Sequence, residues 1–181
     1  MTPSEAQWGI RYLLFQYFFL PGLLALGLRL LFPYLSGVYL DFAYFLVNFL
    51  VVICLFRHFL LDSARHTAEH FPNFFTCAII GFLVYEVLIL LVSFGILQLF
   101  PDFFNVNDAS ISEIAKENLP VMAVGTVLLV PLVEETLYRG VVFGLLRRKG
   151  RVTAYVVSTF VFCAIHVAGY WGSFEPLHLI L

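Results

Sequence analysis

Long apolar stretches leave this chain few ways to fold. Each of them is about as long as the roughly 20 residues that an α-helix needs to cross a bilayer. They comprise residues 12–32, 38–56, 74–100, 120–146 and 152–171. Hydrophobic residues make up 61% of the chain and charged residues 12%, against about 45–50% apolar residues in soluble domains. The sequence therefore predicts an all-α, polytopic transmembrane helical bundle with about five spanning helices plus the start of a sixth.

One integral-membrane domain over residues 1–181 is expected, because the sequence shows no internal repeat and no long linker. The first stretch is too long and too uniformly apolar for a cleaved signal peptide. The three cysteines all fall in predicted spans and give no disulfide or metal-type spacing. A net charge of −2 without a basic stripe leaves the lipid bilayer, and not a nucleic acid, as the expected partner.

Basic residues predict how the chain is oriented. The segment Arg147–Arg151 is the most basic of the chain, whereas residues 101–119 carry four acids against one lysine. Short loops rich in Lys and Arg stay in the cytoplasm. The N-terminus and the Arg147–Arg151 loop of this multi-pass protein are thus predicted to be cytoplasmic. Seven of the ten Lys and Arg residues then face the cytoplasm: Arg11, Arg57, Arg65, Arg147, Arg148, Lys149 and Arg151.

The fourth apolar stretch holds three ionisable residues within a turn and a half, Glu134, Glu135 and Arg139. Such groups cost roughly 2.5–3.5 kcal/mol each at the centre of a membrane helix. Glu135 and Arg139 have the four-residue spacing and order of a helical ion pair. Glu134 points about 100° away from Glu135, so one acid is left for other work. Pro131 is expected to kink this helix just before the two acids.

His166 in the next stretch is the predicted partner of Glu134. Both residues lie sixteen positions from Gly150, which places each roughly 24 Å from the turn of an antiparallel hairpin. A carboxylate and an imidazole at one depth can hold a water molecule, remove its proton and direct it at a carbonyl carbon. The alternative is a packing network in which Glu135–Arg139 closes a helix contact and His166 donates to a carbonyl.

At these residues the chain resembles the CPBP family of intramembrane proteases, which includes type II CAAX prenyl endopeptidases and bacterial proteins linked to bacteriocin processing or immunity. "EETLYRG" from Glu134 is similar to the EExxxR(G) motif of that family, and "FCAIH" from Phe162 is similar to its FxxxH motif. The resemblance by motif covers residues 120–170. It implies that Glu134 is the base that activates the attacking water and that His166 helps to hold this water.

The same resemblance implies that Glu135 and Arg139 support the site or the substrate and that Phe162 packs against His166. The family also carries a later HxxxN pair, thought to stabilise the oxyanion, which this sequence lacks. His178 is the one histidine after His166, and the chain ends at Leu181. We therefore expect the chain to be truncated or to represent a shortened branch without these C-terminal motifs.

Three further polar residues lie in predicted spans. Tyr138 follows Glu134 by one turn and can donate to it or simply pack. Glu86 is expected at a depth of about 21 Å, where it lines the same cavity or, as we favour, bonds a neighbouring helix. Asn48 is predicted to form a hydrogen bond between helices.

The leading interpretation is an intramembrane endopeptidase that hydrolyses a peptide bond of a membrane-associated or lipid-modified substrate. Two carboxylates and a histidine, Glu134, Glu135 and His166, can bind a divalent metal such as zinc with an open position. Glu135 is expected to pair with Arg139, so that Glu134 and His166 would remain as ligands, and a metal-free glutamate mechanism is at least as compatible with the residues. Two alternatives stay open. One is a non-catalytic immunity or scaffold protein of the same fold, and the other is a proton-coupled carrier.

Overall fold

In the computed structural model, residues 1–103 and 105–168 are described, and all regular secondary structure among them is helical. The all-α prediction is thus confirmed. The helices are α1 (Pro3–Phe18), α2 (Leu20–Leu31), α3 (Gly37–Glu69), α4 (Phe71–Leu99), α5 (Val106–Glu117), α6 (Leu119–Leu146) and α7 (Arg151–Ala168).

Three of these helices, α3, α4 and α6, are long and apolar enough to cross a membrane. A fourth span exists if α1 and α2, bent by 52° at their junction, cross together. The bend has a local cause, because Pro21 has no N–H to donate to the preceding turn and its ring crowds that turn, and α2 accordingly begins at Leu20, one residue before the proline. By length and composition, the described residues thus hold three or four candidate spans where five were expected. The fifth expected span, residues 152–171, is described only as far as Ala168, and the expected start of a sixth falls outside the described residues.

Helix α6 contains Pro131, where a kink was expected. The helix continues through the proline, and wide π-helical turns flank it at Gly125–Leu129 and Glu135–Phe143. Proline and π turns are both places where helices bend without ending, so the kink at Pro131 stays a prediction. Asn118 caps the beginning of α6 by accepting a hydrogen bond from the Val121 N–H. The helix remains one membrane-length rod carrying both glutamates.

The core lies where α1, α3 and α6 meet. Its buried members are Tyr12, Val52, Phe56, Val133, Leu137 and Val141. Gly9 allows α1 to approach α6 closely, since a Cβ at this position would lie 2.5 Å from Cγ2 of Val141. Helix α4 is different, because no residue of its most apolar window is buried. The site is thus built on the tightly packed part of the bundle.

Contacts at the two ends of the bundle relate the termini of its helices. Met1 reaches Gly140, in the half of α6 that leads to the basic loop. At the opposite end of the bundle, where α3 begins, the carboxylate of Glu117 accepts a hydrogen bond from the Val38 N–H at 3.4 Å. The side-chain amide of Asn118 donates to the Tyr39 hydroxyl. The N-terminus and the Arg147–Arg151 loop therefore lie towards one end of the bundle, and the start of α6 lies at the other.

Candidate functional site

The hairpin of α6 and α7 brings Glu134 and His166 together. The turn between the two helices ends at Gly150, whose φ of 144° suits a residue without a side chain. Oε1 of Glu134 lies 3.4 Å from Nε2 of His166. Both side chains are about 30% exposed, at 29% and 32%, so they are accessible to a small molecule and largely shielded from bulk solvent.

The hydrogen bond of Nδ1 determines which ring nitrogen of His166 carries the proton. Nδ1 lies 2.9 Å from the carbonyl oxygen of Phe162. A carbonyl only accepts, so Nδ1 carries the hydrogen of that bond. Nε2 is left to face the carboxyl group of Glu134, and between them these two groups can hold or release one proton. A residue pair that takes a proton from water needs a group that can accept this proton, and this pair provides one.

A cavity of about 170 Å³ opens beside this pair. Helices α6 and α7 contribute Glu134, Tyr138 and His166 to its wall, and α1 and α3 contribute the rest of its polar groups. The polar lining from α1 and α3 consists of Gln16, Tyr17, Tyr44 and Asn48. Its volume is several times that needed for one water molecule. The cavity therefore has room for water together with part of a substrate.

Glu135 and Arg139 lie on another side of α6. Nε of Arg139 is 3.2 Å from Oε2 of Glu135, and the side chains are 78% and 59% exposed. The pair lines a smaller recess of about 120 Å³ with Ser158 and Thr159 of α7. Glu134 borders this recess too. The predicted ion pair is thus present, and it leaves Glu134 available to His166.

Phe162 and Tyr138 support the histidine through ring contacts. The Phe162 ring centroid is 4.5 Å from that of His166 and 5.2 Å from that of Tyr138, which it meets edge to face. Tyr138 is buried, and no hydrogen bond joins it to Glu134 within the described chain. Of the two roles expected for Tyr138, the structure shows packing.

Glu86 is not brought to the site. It lies midway along the exposed helix α4 and is absent from the lining of the cavity that holds Glu134 and His166. Asn48 forms the predicted interhelical hydrogen bond, since its Oδ1 accepts from the Tyr12 hydroxyl at 2.7 Å. The same asparagine also lines the cavity.

Sequence reasoning missed the part of the site that comes from α1 and α3. Gln16 and Tyr44 were not predicted, and Asn48 was predicted for packing alone. A signal existed: Tyr12 and Gln16 in α1, like Tyr44 and Asn48 in α3, are polar pairs four residues apart in otherwise apolar helices. Residues with that spacing share one helix face, which marks a polar stripe in each helix.

The donor set does not fit a zinc ion in the described part of the chain. Catalytic zinc is held by three protein ligands with a fourth position open. Residues 1–103 and 105–168 contain no cluster of three or more His, Cys, Asp or Glu side chains that could hold a metal. Glu134 and His166 supply two donors, and Glu135 is paired with Arg139. A metalloprotease type of site is not supported by these residues.

Comparison with known proteins addresses the region that carries both motifs. Residues 116–180 match the family model described as "Type II CAAX prenyl endopeptidase Rce1-like". The searches of curated proteins and of solved structures gave no match. The match spans about a third of the chain and includes Glu134, Glu135, Arg139 and His166. This match over residues 116–180 supports membership of the CPBP family of intramembrane proteases, which the motifs predicted.

Proposed function

We propose that this protein is an intramembrane endopeptidase that uses Glu134 as a general base and His166 as its partner. The observation that carries the proposal is the approach of these two side chains to 3.4 Å at the wall of a cavity. The Rce1-like match supports it at the level of the family, which is a family of proteases.

The separation of the pair suits a shared water. It is longer than the 2.7–3.2 Å of a good N–H···O hydrogen bond, so the pair gains from a third member. One water oxygen can lie about 2.8 Å from both Oε1 and Nε2 at the apex of a triangle. Such a water would point a lone pair into the cavity, where the carbonyl of a bound peptide would lie.

In the proposed reaction, the Glu134 carboxylate takes a proton from this water as its oxygen attacks the carbonyl carbon of the substrate. The C=O bond opens to a tetrahedral oxyanion. When it re-forms, the C–N bond breaks and the departing nitrogen receives the proton held by Glu134. The products are a free carboxylate and a free amine. Glu135 and Arg139 support the turn of α6 that carries Glu134, or bind the substrate through the exposed guanidinium.

A substrate with a long apolar group fits the surroundings of the cavity. A groove of about 450 Å³ between α2 and α3 is lined mainly by apolar side chains such as Pro21, Leu24 and Leu40. It shares Tyr17, Tyr44 and Phe45 with the cavity of Glu134. We therefore assign this protein a membrane-associated, lipid-modified peptide as its substrate class. A prenylated peptide, the substrate type named in the family description, is the first to be tested.

Glu134→Gln tests the proposal, with Glu135→Gln as its matched control. Both changes replace a carboxylate by an amide of the same shape on the same turn. The full chain, reconstituted in liposomes, is given a farnesylated fluorogenic peptide ending in Cys-aliphatic-aliphatic-X, and the rate of cleavage is measured. Loss of a general base lowers kcat by about 10²–10⁴, so we expect this loss for Glu134→Gln and at most a tenfold loss for Glu135→Gln.

The control separates the two acids. Equal losses in both variants would contradict the assignment of the base to Glu134. A wild-type protein that binds the peptide without cleaving it, and a Glu134→Gln variant that binds equally well, would support the non-catalytic scaffold instead.

A further inference from the structure

Gln16 presents an unused amide to the cavity of Glu134 and His166. It lies on the face of α1 that packs into the bundle and is 5% exposed. Its side chain has no hydrogen-bond partner within the described residues. In the same residues, every fully buried side-chain nitrogen or oxygen atom has a partner. The amide must therefore keep access to open space. The cavity of about 170 Å³ that Gln16 lines provides that space.

An amide in this position is costly unless something binds it. A polar amide at a largely buried position needs a partner, which water or a ligand in the cavity can supply, whereas an apolar side chain of similar volume would need none. The backbone carbonyl of Gln16 is occupied, because it accepts from the Tyr44 hydroxyl at 3.2 Å. One turn earlier, Tyr12 fixes the helix to Asn48 of α3. The amide is thus held on a rigid backbone with its own groups available to a ligand.

The position of Gln16 differs from that of the pair that activates water. Glu134 and His166 enter the cavity from α6 and α7, whereas Gln16 enters from α1. Tyr17, the next residue, donates to the carbonyl of Ile165, the neighbour of His166, and so ties α1 to α7. A carbonyl attacked by water from the Glu134 side develops negative charge on its oxygen, which points away from the attacking atom. Tyr138 is a poorer donor for that oxygen because it shares a helix face with the base.

We propose that the Nε2 group of Gln16 donates a hydrogen bond to the carbonyl oxygen of the scissile peptide and stabilises the oxyanion that forms there. This role rests on the proposed function, since it requires a peptide bond to be hydrolysed in the cavity. It makes Gln16 a catalytic residue contributed by a part of the chain outside the Rce1-like region, which begins at residue 116.

The test compares Gln16→Leu with Gln7→Leu in the full-length protein in liposomes, using the farnesylated Cys-aliphatic-aliphatic-X peptide. Gln7 lies in the same helix and is exposed, so the chemical change is matched while the cavity is untouched. Removal of one oxyanion donor costs about 10²–10³ in kcat. We expect that loss for Gln16→Leu with KM changed less than threefold, and unchanged kinetics for Gln7→Leu.

A second reading separates catalysis from packing. A peptide phosphonate mimics the tetrahedral oxyanion, so Gln16→Leu should weaken phosphonate binding by a factor similar to the loss in kcat. Binding of the uncleaved peptide is measured in the Glu134→Gln variant. There, adding Gln16→Leu should leave the affinity for the peptide unchanged. Gln16→Met, which keeps the unbranched shape of glutamine, replaces Gln16→Leu if the latter melts at a lower temperature than wild type.

The outcomes are distinguishable. Cleavage that requires Glu134 but persists at the wild-type kcat in Gln16→Leu and Gln16→Met overturns the role of Gln16 and leaves the proposed function standing. A rise in KM with kcat unchanged overturns it as well, because the amide would then bind ground state and transition state alike. Absence of Glu134-dependent cleavage in the wild type refutes both the proposed function and the role of Gln16.

Discussion

Adding a single methyl group at Gly9 should loosen the contact on which the site is built. A Cβ at Gly9 would lie 2.5 and 2.9 Å from the two Cγ atoms of Val141 and 3.1 Å from Cζ of Phe56. Val141 and Phe56 are both fully buried, at 0% exposure, so neither can turn aside into open space. Carbon atoms in good contact are about 3.5–4.0 Å apart, so α1 has to move from α6 by about 1 Å to accept Gly9→Ala.

Gly22→Ala provides the control that isolates this clash. Gly22 lies in α2 and has no atom within 4 Å of its would-be Cβ. Alanine is favoured over glycine in a helix by about 1 kcal/mol, and this gain applies to both variants. Overpacking of a well-packed core costs about 1–3 kcal/mol. The free energy of unfolding of Gly9→Ala should therefore be lower than that of Gly22→Ala by about 1–3 kcal/mol.

SDS titration of the proteins in mixed micelles measures this difference. Val141→Ala removes both Cγ atoms, so its destabilisation should be smaller in the Gly9→Ala background than in the wild type, a negative coupling in a double-mutant cycle. The reasoning is refuted if Gly9→Ala is as stable as Gly22→Ala, or if Gly9→Ala and Val141→Ala are additive. Either result would mean that α1 does not approach α6 as closely as described.

Two other features lead to separate predictions. Tyr12→Phe removes the hydroxyl that donates to Asn48 at 2.7 Å, and should lower the free energy of unfolding by about 0.6–1.7 kcal/mol, the size of polar interactions between membrane helices. The control Tyr34→Phe, at a fully exposed position, should leave the free energy of unfolding unchanged. Equal effects of the two changes would contradict a stabilising role of the interhelical hydrogen bond. In a cysteine-free background, Thr2→Cys and Lys149→Cys should react with a membrane-impermeant maleimide from the cytoplasmic face, and Ser112→Cys should react from the opposite face. Labelling of Thr2→Cys and Lys149→Cys from different faces would refute the predicted orientation.

The apolar stretches predicted the helices better than they predicted how the helices break. The stretch at 120–146 corresponds closely to Leu119–Leu146, because Asn118 and Pro120 mark its beginning and the turn before Gly150 follows its end. The stretch at 12–32 became two helices at 52°. Hydropathy responds to the side chains and not to the backbone, so it does not detect a break of this kind. Nor does hydropathy detect the π-helical turns that flank Pro131 in α6.

The candidate site divides along the same line. Glu134 and His166 could be paired from sequence because a short hairpin fixes the depth of one helix against the next. Gln16 is separated from Glu134 by more than a hundred residues and four helices, and its place at the cavity depends on how α1 packs against α6. Gly9 permits that packing, but a glycine in a membrane helix does not indicate from sequence which helix packs against it. Glu86 shows the converse, since a matching depth did not place it in the cavity.

The two acids of the doublet have different partners. Arg139 lies four residues after Glu135 and five after Glu134, and the structure pairs it with Glu135. If the guanidinium were bound to Glu134, that carboxylate would be turned from His166. Pairing with Glu135 satisfies the arginine in the recess of Ser158 and Thr159, and keeps the oxygen of Glu134 towards Nε2 of His166. The two adjacent glutamates thus have different partners, and Glu134 keeps the contact with His166 that the proposed function requires.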